Sequence, residues 1–115
     1  MSRAAALVDE IASELGSWPG VRVERLSESV ALVRYEHLEL GVIDRERGAA
    51  ELRFSDSERD ELVEHGDAEP AESMPESVSH AVRGPADVTA VLGLFERRYR
   101  DLRGEDDPYS SQDPA

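Results

Sequence analysis

A chain of 115 residues is the size of one domain and is long enough to bury a single core without crosslinks. The absence of cysteine excludes disulfides, thiolate metal ligands and a cysteine nucleophile. The 26 Asp and Glu against 13 basic residues, all of them Arg, give a formal net charge of −13, which repels nucleic acid.

Ser2 to Leu15 carries Ala4, Leu7, Val8, Ile11 and Leu15 at helical spacing, the pattern of an amphipathic helix with one buried face. Ser2 is placed to cap it and Gly16 to end it. The apolar run at its start is cut by Asp9 and Glu10, so neither a signal peptide nor a membrane span is expected there and the expected location is cytoplasmic. Ser17 to Gly20 reads as a turn, with Trp18 closing the gap between helix and sheet; a ligand-stacking role is the alternative.

From Val21 the period changes to two. Val21 and Val23 alternate with Arg22 and Glu24, Ser29 to Tyr35 forms a second and more continuously apolar strand, and Leu38 to Ile43 forms a third. The third strand is expected to present Leu38, Leu40 and Val42 on one face and Glu39 and Gly41 on the other. Asp44 to Gly48 is a hairpin loop, and Ala49 to Phe54 closes a four-strand meander with Ala50, Leu52 and Phe54 inward.

Ser55 followed by Glu58 is a capping-box signature opening a short helix that Gly66 stops. Between Asp56 and Glu76 nine acids face Arg59 alone, and Pro70 and Pro75 break any regular helix across this stretch. Val78 to Arg83 alternates as a fifth strand. From Gly84 to Arg103 the stripe of Val88, Val91, Leu92, Phe95, Tyr99 and Leu102 predicts the longest helix. Pro85 and Asp87 sit in its first turn, arginines crowd its last turns and Gly104 follows as a cap. The expected architecture is an α+β two-layer sandwich of order α-β-β-β-β-α-β-α, with the terminal helices covering one face of an antiparallel sheet. Residues 1–104 form one domain and 105–115 a disordered acidic tail.

Lys and Asn are both absent from the chain. An acidic, lysine-free surface over small apolar residues is what stays hydrated where salt screens self-repulsion, which predicts a halophilic protein. Coding bias toward Arg is the competing account.

Pro19, Gly20 and Val21, then Glu39 with Gly41, Leu52-Arg53-Phe54, Arg59-Asp60-Glu61-Leu62-Val63, Gly66, Ala68-Glu69-Pro70, Met74, Pro75 and Ser77 together resemble the luciferase-domain family of small prokaryotic proteins. Val82, Arg83, Asp87, Val88, Phe95 and Tyr99 resemble its last strand and helix, so the similarity spans about residues 18 to 103. The resemblance implies a fold akin to the YjbR and TfoX group of α+β domains, and no light-emitting chemistry. The family usually shows histidines after the Glu-x-Gly of the third strand and after the Ala-Glu-Pro motif. Here Val42, Ile43 and Asp44 follow Gly41 and Ala71 follows Pro70, so an activity resting on those histidines is not expected.

His37, His65 and His80 fall on separate elements without ligand spacing, and no phosphate-binding loop, dinucleotide fingerprint or nucleophile elbow is present. Neither cofactor nor metal is expected. The arginines of the last helix are matched by its own acids and by the helix dipole. The candidate binding residues are Glu39, Tyr35 and Arg34 on the strands of the meander. The expectation is a non-catalytic interaction or ligand-binding module, a monomer or weak homodimer whose partner is a protein or small molecule. The alternative is a small enzyme using a carboxylate with Arg34 or Arg22 on the open sheet face.

Overall fold

The computed structural model describes residues 3–71 and 77–106. It is an α+β sandwich of three helices on one six-stranded antiparallel sheet, in the order α1 (Arg3–Gly16), β1 (Val21–Arg25), β2 (Val30–Tyr35), β3 (Leu38–Asp44), β4 (Ala49–Arg53), α2 (Asp56–Glu64), β5 (Glu69–Pro70), β6 (Ser77–Ala81) and α3 (Pro85–Asp106). The strands lie in the order β1-β2-β3-β4-β6-β5. The meander therefore occupies one half of the sheet, and the chain leaves through α2 to place β6 beside β4. The sixth strand is the two-residue β5, which pairs Glu69 with Ser79 and Pro70 with Val78. Pro70 cannot continue a ladder, which restricts it to this edge. The proposed cap at Ser2 and residues 107–115 of the expected tail lie outside the described residues, as do Met74 and Pro75, whereas residues 105 and 106 of that tail continue α3.

The helical stripes bury as their spacing predicts. Leu7, Val8, Ile11 and Leu15 of α1 meet Val88, Val91, Phe95, Tyr99 and Leu102 of α3 over Val21, Val33, Ile43, Ala50, Leu52 and Val78 of the sheet. Leu94 joins this core, whereas Leu92 is only partly buried against it. At about 25 cal/mol per Å² of apolar surface removed from water, this stack is the main stabilising term. Leu62 and Ala68 bring α2 and the segment after it onto the same core.

Two local expectations are corrected. The β2–β3 pairing slips between Val33 and Arg34, so that Val33 faces Gly41 while Arg34 faces Glu39 and Leu40 is the extra residue. A bulge of this kind lets two successive residues share a face. Leu40 and Gly41 both turn toward the helices, Gly41 lying beneath Phe95 and Leu52. Val42 is consequently absent from the helix-side core and lies on the other face with Leu32. The second correction concerns Gly104, which does not end α3. The helix runs on to Asp106, since its hydrogen-bond ladder does not require a side chain at that position.

Candidate functional site

The register brings some of the sequence-derived candidates together and separates others. Arg22, Arg34 and Glu39 form one row across β1, β2 and β3. Arg34 spends its charge on Glu24, with Nε 3.5 Å from Oε2, and Glu39 stays exposed at the bulge. Tyr35 is on the opposite, helix-facing side. Its ring meets Tyr99 edge-on at 5.2 Å, and a Cβ at Gly20 would touch it. Glu39, Tyr35 and Arg34 thus do not share a face, a separation that the period of two along a strand imposes on residues 34 and 35. The centre of the open face is apolar but shielded. Leu32 is 9 % exposed and is flanked by the Glu24–Arg34 pair.

Trp18 acts as the hydrophobic closure. It is half-buried at 5.2 Å from Tyr99, and its Nε1 donates to Glu14 at 3.3 Å. Tyr99 in turn donates its hydroxyl to the Pro19 carbonyl at 2.7 Å and carries the Arg103 guanidinium over its ring at 5.2 Å. Tyr99 is thus engaged from within the chain by Trp18, Tyr35 and Arg103.

Concavity occurs elsewhere. A cavity of about 170 Å³ lies between α1 and the tip of the β1–β2 hairpin. Val8, Ala12, Val23, Ala31 and Ile43 form its floor, and Asp9, Arg25, Ser27, Glu28, Ser29 and Arg45 form its rim. Its origin is steric. Ala12 and Ala31 stand where longer side chains would fill the space between helix and sheet, and Ala12, Val23 and Ala31 stay only partly buried. One wall is fixed by a two-pronged pair, Arg45 Nε to Asp9 Oδ1 at 2.8 Å and Nη2 to Oδ2 at 3.0 Å. The hairpin turn is closed by Ser27, whose Oγ accepts from the backbone N–H of Ser29 at 3.3 Å and of Val30 at 3.1 Å. Beside this rim stands Leu26, 61 % exposed and the one large hydrophobic residue left in solvent among the described residues.

A second concave region follows the β6 edge past the end of β5. Two adjoining clefts of about 460 and 260 Å³ share Glu69, Ser79, Ala81 and Arg83. Two of its polar side chains, those of Asp87 and His80, are engaged in structure. Asp87 accepts from the backbone N–H of Arg83 at 2.8 Å and of Gly84 at 3.1 Å, bonds that hold its carboxyl below the usual range. His80 Nδ1 lies 2.7 Å from the Ala81 carbonyl oxygen.

The group with the most displaced titration lies outside these cavities. Glu58 of α2 receives Arg97 Nε at 3.1 Å, and Arg97 Nη2 reaches Glu61 at 3.4 Å. Asp101 shares a hydrogen bond with Glu58. Burial first, and then the neighbouring Glu58, push the Asp101 carboxyl up to about 6. Partial burial works to raise Glu58 as well, but the bonds from Asp101, Arg97 and Ser55 hold it below the usual carboxylate range. The sequence showed the Glu58 cap and the Arg97 charge but not that they meet, because they are 39 residues apart. The pairing expected within α3 is present, Arg100 Nη2 lying 2.6 Å from Glu96 Oε1.

His37 and His65 are exposed and His80 is half-buried on a third element. Among the described residues no three His, Asp or Glu converge to hold a metal ion, and no helix is long and apolar enough to cross a membrane. No protein-family model matches the chain, and searches of curated proteins and of solved structures find no match either.

Proposed function

We propose that this chain is a non-catalytic binding module whose ligand site is the cavity between α1 and the β1–β2 hairpin. The observation that carries this is the cavity's make-up, an apolar floor left open by two alanines and ringed by polar and charged groups, the combination that small-molecule sites use. Its size favours a small ligand, since an apolar cavity of roughly 150 Å³ accommodates benzene. The rival reading, an enzyme on the open sheet face, is the less supported one, because the cavities described above are lined by neither Glu39, Arg34 nor Tyr35 and Arg34 is paired with Glu24. A kinship with the luciferase-domain group stays part of the proposal as a likeness of motif and element order, without its histidines.

A nitrogen-15 NMR titration with a library of small metabolites tests the site. Saturable shifts confined to Ala12, Val23, Ala31 and the turn at Ser27 are expected. Shifts centred on Glu39 and Arg34, or on the β6 edge, would instead assign binding to those surfaces and overturn the proposal.

A further inference from the structure

The rim of the α1–hairpin cavity narrows the class of ligand, on the reading that this cavity is the binding site. Asp9 and Arg45 neutralise one another in their two-pronged pair. Arg25 and Glu28 remain, both exposed and both at the cavity's edge. Among the described residues neither makes an ion pair. The mouth thus presents one free cation and one free anion above an apolar floor. We infer that the cavity takes a zwitterion with a short apolar side chain, a free aliphatic amino acid. Its side chain lies on Ala12, Val23 and Ala31, its carboxylate pairs with Arg25 and its ammonium with Glu28.

Three considerations select this class over its neighbours. An apolar monocarboxylate would satisfy Arg25 but meet the repulsion of a chain with net charge −13 and leave Glu28 unmatched. An apolar amine would be drawn in by that same field, yet would bring a like charge toward Arg25. A zwitterion carries no net charge and satisfies both rim groups with charge-assisted hydrogen bonds. The volume of about 170 Å³ suits a branched four-carbon side chain, close to the size of the six carbons of benzene that a comparable cavity holds.

The test is a nitrogen-15 NMR titration of the full chain with L-leucine, with 4-methylpentanoate, which is leucine without its ammonium group, and with 3-methylbutylamine, which is leucine without its carboxylate. Leucine is expected to saturate shifts at Ala12, Val23, Ala31 and Ser27. Each singly charged analogue is expected to bind roughly ten-fold or more weakly, the loss of one charge-assisted contact. Arg25→Gln should weaken leucine about as much while leaving 3-methylbutylamine no weaker, since it also removes a like charge, and Glu28→Gln should weaken leucine while leaving 4-methylpentanoate no weaker for the same reason. Both substitutions are at exposed positions, so unfolding does not confuse the result. If an analogue binds as tightly as leucine, or if only an uncharged probe such as isobutanol shifts the floor residues, the zwitterion assignment falls while the binding site stands. If no probe shifts those residues, the site falls with it.

Discussion

At Gly41 an added Cβ would stand 2.5 Å from the Glu51 carbonyl oxygen, 3.0 Å from Leu52 Cγ and 3.1 Å from the Phe95 ring. The nearest of these is backbone, which cannot swing aside. Gly41→Ala is therefore expected to destabilise the fold by about 1–3 kcal/mol, the usual cost of overpacking a core. Gly93 faces open space inside α3, and Gly93→Ala is expected to stabilise by about 1 kcal/mol, the difference in helix propensity. Urea denaturation of the two variants should give midpoints moving in opposite directions. Equal shifts would mean that Phe95 does not rest on β3 as described. Tyr99→Phe removes the hydroxyl that donates to Pro19 at 2.7 Å and is expected to cost about 1 kcal/mol in the same assay.

At the scale of elements, the attachment of α2 to α3 depends on protonation. The Asp101 carboxyl titrates at about 6 in the fold against an ordinary 3.8, so between those values the folded state holds a proton that the unfolded chain has lost. Its contribution is fully present below the ordinary value and disappears as the pH rises through about 6. Glu58 is displaced downward and works in the opposite sense, its contribution being lost as the pH falls. Asp101→Asn keeps a donor for Glu58 without a titrating proton. Compared with the parent chain it is expected to gain stability from pH 4 to pH 7, on the order of 1 kcal/mol at neutral pH. Chemical denaturation at several pH values checks this, and a constant difference across the range would show that the Asp101–Glu58 contact does not form. At the start of the same helix Ser55 Oγ accepts from the Glu58 N–H at 3.3 Å, and Ser55→Ala is expected to cost about 1 kcal/mol.

Across the whole molecule the arginines act locally. Arg34, Arg45, Arg47, Arg59, Arg97 and Arg100 each pair with a nearby acid, and the acids still outnumber the basic residues two to one. Exposed pairs of this kind contribute little individually, so the unmatched carboxylates leave a net self-repulsion that dissolved salt screens. The melting temperature is expected to rise from dilute buffer to molar KCl, by about 4–8 °C for each kcal/mol of repulsion relieved. Circular dichroism melts across a KCl series measure it, and a flat series would remove the argument for a halophilic surface.

The order of elements was legible in the sequence because burial on one side of a helix or strand writes its period directly into the residues. Val88, Val91, Phe95, Tyr99 and Leu102 mark one face of a helix whatever they pack against. The capping box at Ser55 and the two-residue alternation in β4 are local for the same reason. The bulge at Leu40 depends on the partner strand, so the facing of Gly41 and Val42 could not be read from β3 alone. The same holds for the candidate site. Glu39 and Arg34 stood out by residue type, whereas the cavity is lined by Ala12 of α1 and Ala31 of β2, 19 positions apart in the chain, which only the fold brings to one space. A sequence records which side chains are small, but only the packing of α1 on the hairpin turns that into a space.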